Sequence, residues 1–141
     1  MDNSDNPVFD PSLVRIKVMT TYLPSHSQPE HDQYTFAYTI TISNAGDVPV
    51  QLLSRHWIIT NADNETSEVR GDGVVGEQPL IEPGQAFRYT SGATLTTPVG
   101  CMEGSYTMII RPPGEHSQQS SGDRFQVPIN PFSLHQPAAL H

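Results

Sequence analysis

The chain has 141 residues, is 35% hydrophobic, and sets seven basic residues against fifteen acidic ones for a formal net charge of −8. That length suits one domain, and six scattered arginines with the one lysine, Lys17, make no basic patch, which excludes general nucleic-acid binding. No apolar run approaches the roughly 20 residues of a membrane helix. The opening "MDNSDNPVFDPS" has neither the basic nor the apolar segment of a signal peptide, and the single Cys101 allows no internal disulfide, so a soluble, cytoplasmic protein is expected.

Residues 1–12 lack periodicity and are expected to be irregular. "LVRIKVMTTY" (13–22) alternates Val14, Ile16 and Val18 with Arg15 and Lys17. "YTFAYTITIS" (34–43) alternates Tyr34, Phe36, Tyr38, Ile40 and Ile42 with Thr35, Ala37, Thr39 and Thr41. Period two marks strands with one buried face. "VQLLSRHWIIT" (50–60) is a third strand, and "NADNET" (61–66) turns it into "SEVR". The Pro-Gly in "PLIEPGQAFRY" reads as a crossing between two sheets. Further strands are expected at 87–95, 104–111 and 124–129, with "GEHSQQSSG" (114–122) as a polar hairpin loop. Thirteen prolines leave no helical period intact. Seven or eight short strands with frequent turns predict an all-β, immunoglobulin-like or fibronectin type III-like antiparallel sandwich over 13–132, followed by a tail over 133–141.

The stretch "VRGDGVVGEQPLIEPG" (69–84) contains GxGxxG at Gly71, Gly73 and Gly76. A dinucleotide-binding version needs a helix to follow, so that its N-terminus faces the pyrophosphate. Pro79 and Pro83 forbid that helix. A glycine turn between strands can also offer N–H groups to phosphate, but Asp72, Glu77 and nearby Glu68 oppose the charge of Arg70, and a bridging Mg²⁺ would be required. The alternative is that the glycines supply positive φ in a β-connection. The tripeptide Arg70-Gly71-Asp72 is read as coincidence.

The segments "LLSRHWIIT", "EVRGDGVVGEQPLIEPGQAFRYTSG" and "TPVGCMEGSYTM" resemble the bacterial ApaG family from about residue 14 to the C-terminus. The resemblance implies a fibronectin type III-like sandwich. It also implies a pyrophosphate-binding role for the loop on Gly71, Gly73 and Gly76. Similar domains occur in eukaryotic F-box and polymerase-interacting proteins, which implies protein interaction. The family's association with dinucleoside polyphosphate hydrolase genes, cobalt resistance and magnesium efflux implies a link to Co²⁺ or Mg²⁺ homeostasis.

No catalytic set is legible. Cys101 has no paired histidine, no serine lies in a GxSxG elbow, and no two acids can be assigned as acid and base. In "HSQPEHD", His26 and His31 with Glu30 and Asp32 are weak metal candidates, since Pro29 separates the histidines. On the third strand Arg55 and Trp57 share one face, and His56 and Ile58 the other. Arg55 either caps the core edge through loop carbonyls or, with His56 and Arg70, walls an anion site. The expected function is a non-enzymatic binding domain without cofactor, contacting a protein partner through loops or an edge strand. The alternative is a sensor of a pyrophosphate or dinucleoside polyphosphate through Arg70, Gly71, Gly73 and Gly76, with Mg²⁺ or Co²⁺. The tail "FSLHQPAALH" suggests a weak homodimer.

Overall fold

The computed structural model describes residues 9–111 and 123–137. Eight strands follow in chain order: β1 Val14–Tyr22, β2 Tyr34–Asn44, β3 Val50–Asn61, β4 Thr66–Asp72, β5 Leu80–Ile81, β6 Ala86–Leu95, β7 Val99–Ile110 and β8 Arg124–His135. They form two antiparallel sheets. One has the order β1-β2-β6; the other has β4-β3-β7-β8, with β5 also paired to β3. The only helical elements among the described residues are 3₁₀ turns of three residues each.

The alternation in β2 has the consequence expected of period two. Phe36, Tyr38, Ile40 and Ile42 are buried, while the threonines between them are not. On the outward face, Thr39 and Thr90 hydroxyls meet across β2 and β6 at 2.8 Å. The opposite sheet supplies Leu52, Trp57, Tyr106, Met108, Val127, Ile129 and Leu134 to the same core. The sheets also meet through a polar contact, since the Tyr89 hydroxyl on β6 bonds the Tyr106 hydroxyl on β7 at 2.5 Å. The Glu82–Gln85 turn, closed by Gln85 N–H to Glu82 O at 3.0 Å, carries the chain from β5 in one sheet to β6 in the other.

Three features depart from the sequence reading. The strand expected at 104–111 begins at Val99, and the short β5 was not anticipated. The segment expected to end at Ile129 continues to His135, so residues 133–135 belong to β8 rather than to a tail, and Leu134 is fully buried. Pro128 and Pro131 are tolerated because β8 is an edge strand, and the β7–β8 register shifts between Met102/Phe132 and Gly104/Ile129; prolines lack a ladder donor and are confined to such edges and bulges. The expected loop at 114–122 lies outside the described residues.

A second register shift, between Leu52 and Ser54 of β3, matters more. Simple alternation from the buried Val50 and Leu52 would carry Ser54 and His56 inward. One extra residue, Leu53, flips the phase and turns Arg55 and Trp57 to the core side.

Candidate functional site

The bulge on β3 and the glycine-rich connection form one structure. The bulge frees the Leu53 carbonyl, which accepts from Gly73 N–H at 2.8 Å and from Gln78 Nε2 at 2.9 Å. Leu52 N–H donates to Pro79 O at 3.0 Å. Residues 73–79 therefore clasp the irregular point of β3. Within the clasp, Val74 N–H donates to Glu77 O at 2.8 Å and Glu77 N–H to Val74 O at 2.9 Å. The two residues between them, Val75 and Gly76, have φ of 43° and 81°. Positive φ at both central positions matches the type I′ hairpin turn.

Each glycine of the motif has a separate reason. Gly73 has φ 64°, and a Cβ there would collide with the Glu77 carbonyl oxygen. Gly76 occupies the second left-handed position of the turn and faces open space. Gly71 lies directly across from Arg55. A Cβ on Gly71 would sit 2.8 Å from Arg55 Nη1 and Nη2, so its absence makes room for the guanidinium. Arg55 Nη1 donates to the carbonyls of Asp72 at 3.0 Å and Gly73 at 2.9 Å. No helix follows the motif, and the N–H groups of Gly73, Val74 and Glu77 are engaged within the protein. They do not converge on an empty anion cradle.

The outer face of the same strand pair is different. His56 is opposite Arg70, and Ile58 is opposite Glu68. Glu68 Oε1 meets His56 Nε2 at 2.8 Å and Arg70 Nη2 at 3.2 Å. The bond to His56 and the neighbouring Arg70 charge hold the Glu68 carboxyl below its ordinary range. The structure thus brings His56 and Arg70 together and leaves Arg55 on the opposite face. A shallow polar groove of about 430 Å³ runs beside them, with Ser54, Asp72, Ser105 and Thr107 in its lining.

The remaining candidates lie apart. His26 and His31 sit in two exposed 3₁₀ turns, Pro24–His26 and Pro29–His31. No group of three or more His, Cys, Asp or Glu side chains gathers to hold a metal among the described residues. Burial, with Glu103 adding to it, pushes the Cys101 thiol above its ordinary range. No helix among the described residues is long and apolar enough to cross a membrane.

Sequence reasoning missed a pocket of about 290 Å³ beneath the glycine turn. Tyr38, Arg55, Trp57, Tyr89 and Ser91 line it, with Asp72 at one side and residues 74–76 as one wall. Trp57 is 2% exposed, and its Nε1 is the one buried side-chain polar atom without a hydrogen-bond partner among the described residues. Its mid-strand position was legible; the orphan donor was not, because it depends on which rings pack around it.

Two packed antiparallel sheets with a glycine clasp at one edge define a small β-sandwich domain. The chain belongs to the ApaG family: the ApaG domain model matches residues 24–110. It is 50% identical over 128 residues to Protein ApaG of Dechloromonas aromatica, covering 91% of this chain and 94% of that one. Identity to Protein ApaG of Pseudomonas aeruginosa is 54% over 128 residues, with the same coverage. The crystal structure of the ApaA protein from Bordetella pertussis is similar with a TM-score of 0.79 at 45% identity, covering 88% of this chain and 94% of that one.

Proposed function

We propose that this domain is a non-catalytic interaction module that binds a protein partner along the free edge of β4. The observation that carries the reading is the make-up of that edge. β4 and β5 both lie on the side of β3 away from β7, with the glycine turn between them. Val69, Val75 and Leu80 are exposed at 39%, 52% and 50% along this stretch. Gly73 N–H to Leu53 O and Asn61 N–H to Glu65 O set the phase of the β3–β4 ladder. In that phase Glu68 and Arg70 turn their backbone N–H and C=O groups away from β3. An extended partner segment can take up these groups as an added strand, with apolar side chains against Val69 and Leu80. The Cys101 thiol, held protonated by burial, is a weak nucleophile.

A photo-crosslinking residue at Val69, introduced in living cells, tests this. Discrete adducts are expected from position 69 and not from Thr90 on β6. Arg70→Pro removes an outward N–H and should abolish them, while Arg70→Ala keeps the N–H and should retain them. Equal labelling from positions 69 and 90, or adducts that survive Arg70→Pro, would refute the reading.

A further inference from the structure

We propose that the pocket beneath the glycine turn is a binding site for a small monocarboxylate, held by Arg55. Tyr38, Trp57 and Tyr89 pack against the pocket, and Arg55, Asp72 and Ser91 add polar groups to its lining. The Tyr38 and Trp57 rings stand 5.5 Å apart in edge-on contact, and Tyr89 closes another side. Arg55 uses Nη1 on the two loop carbonyls, and its Nε and Nη2 meet no acceptor among the described residues. A guanidinium fixed on one side and open on the other is prepared for a planar oxyanion. Trp57 belongs to the same lining, and its buried Nε1–H has no acceptor among the described residues.

Charge and size select the ligand class. One arginine balances one negative charge, and Asp72 beside it opposes a multiply charged phosphate. At about 30 Å³ for each water-sized volume, a 290 Å³ pocket holds about ten non-hydrogen atoms. Burial raises both Tyr89 and Tyr106 well above the ordinary tyrosine range, so their hydroxyls stay neutral and add no repulsion.

Trp57 is the only tryptophan, so its fluorescence and its single indole N–H resonance report on this site alone. The probe is benzoate, with neutral benzamide and inorganic pyrophosphate as comparisons. Benzoate is expected to shift the indole N–H resonance and change the fluorescence saturably, with a dissociation constant of about a millimolar for so few atoms. Benzamide, which lacks the charge that Arg55 meets, and pyrophosphate, whose extra charge Asp72 opposes, should each bind at least about tenfold more weakly. Arg55→Gln should abolish the shift. Ser91→Leu, which fills the pocket from β6 and leaves Arg55 and the β4 edge in place, should abolish it too. No indole shift with benzoate, a shift that survives Ser91→Leu, or an equal response to pyrophosphate would each overturn the proposal. Ser91→Leu leaves the Val69 crosslinking surface unchanged, so the fate of the interaction reading is decided separately.

Discussion

The two faces of the β3–β4 pair carry the same kind of residue to opposite ends. On the inner face Arg55 lies over Gly71 and bonds two backbone carbonyls, beside the buried Trp57. On the outer face Arg70 has a side chain 71% exposed and shares one carboxylate oxygen with His56. The arginines are near each other in the ladder, yet one completes the core edge and the other decorates a surface. What separates them is desolvation. A guanidinium partly withdrawn from water gains from acceptors with fixed geometry, whereas an exposed ion pair competes with water and salt for little gain.

The largest expected effect comes from the connection that holds the inner face together. Gly73→Ala adds a left-handed backbone penalty of about 1 kcal/mol to a collision with the Glu77 carbonyl that should cost about 1–3 kcal/mol more. Chemical denaturation should show the loss; wild-type stability would break the assignment of this turn as a structural clasp.

Arg55→Ala comes next. It leaves the Asp72 and Gly73 carbonyls without their donor and should cost about 2–3 kcal/mol, with Arg55→Lys failing to rescue because one ammonium cannot copy the fork. Gly71→Ala should cost somewhat less, by pushing the guanidinium off its acceptors, and should become nearly neutral in the Arg55→Ala background. Additive losses in that double mutant would mean that Gly71 serves some other need.

A third inner-face test concerns the hydroxyl pair that joins the sheets. Tyr106→Phe orphans the Tyr89 hydroxyl and should cost about 1–3 kcal/mol, whereas the double Tyr89→Phe, Tyr106→Phe variant should be closer to wild type. Both tyrosines are raised by burial above the ordinary 10.0, so the unfolded chain loses these protons first as pH rises. Their contribution is complete below pH 10.0 and declines above it. The double variant should therefore show a flatter alkaline limb in a stability–pH profile.

The smallest effects belong to the outer face. Arg70→Ala should leave the melting temperature nearly unchanged at physiological salt. Glu68 is depressed below the ordinary 4.5, so its ion pairs favour the folded state above that pH and lose this effect as pH falls through the folded value. A slight acid-side difference between wild type and Glu68→Gln, erased by salt, is the expected signature. A large loss in either variant would place these residues in a buried network that their exposure does not suggest.

The sandwich was written in residues 14–18 and 34–42. Alternation over that length allows one register of burial, and proline spacing removes the helical alternative. Absence of a helix after GxGxxG was equally plain from Pro79 and Pro83. Other features depend on partners distant in the chain. β8 runs through two prolines because it became an edge strand with a bulge, and its place at the edge depends on the pairing of the whole sheet. The inward turn of Arg55 and Trp57 depends on one extra residue at Leu53. That bulge is stable only because Gly73 and Gln78, some twenty residues later, bring donors to its carbonyl. Local pattern reports which side of a strand prefers oil to water. It does not report where a bulge will reset that choice, since backbone groups freed by the bulge must be satisfied by whatever the fold brings beside them.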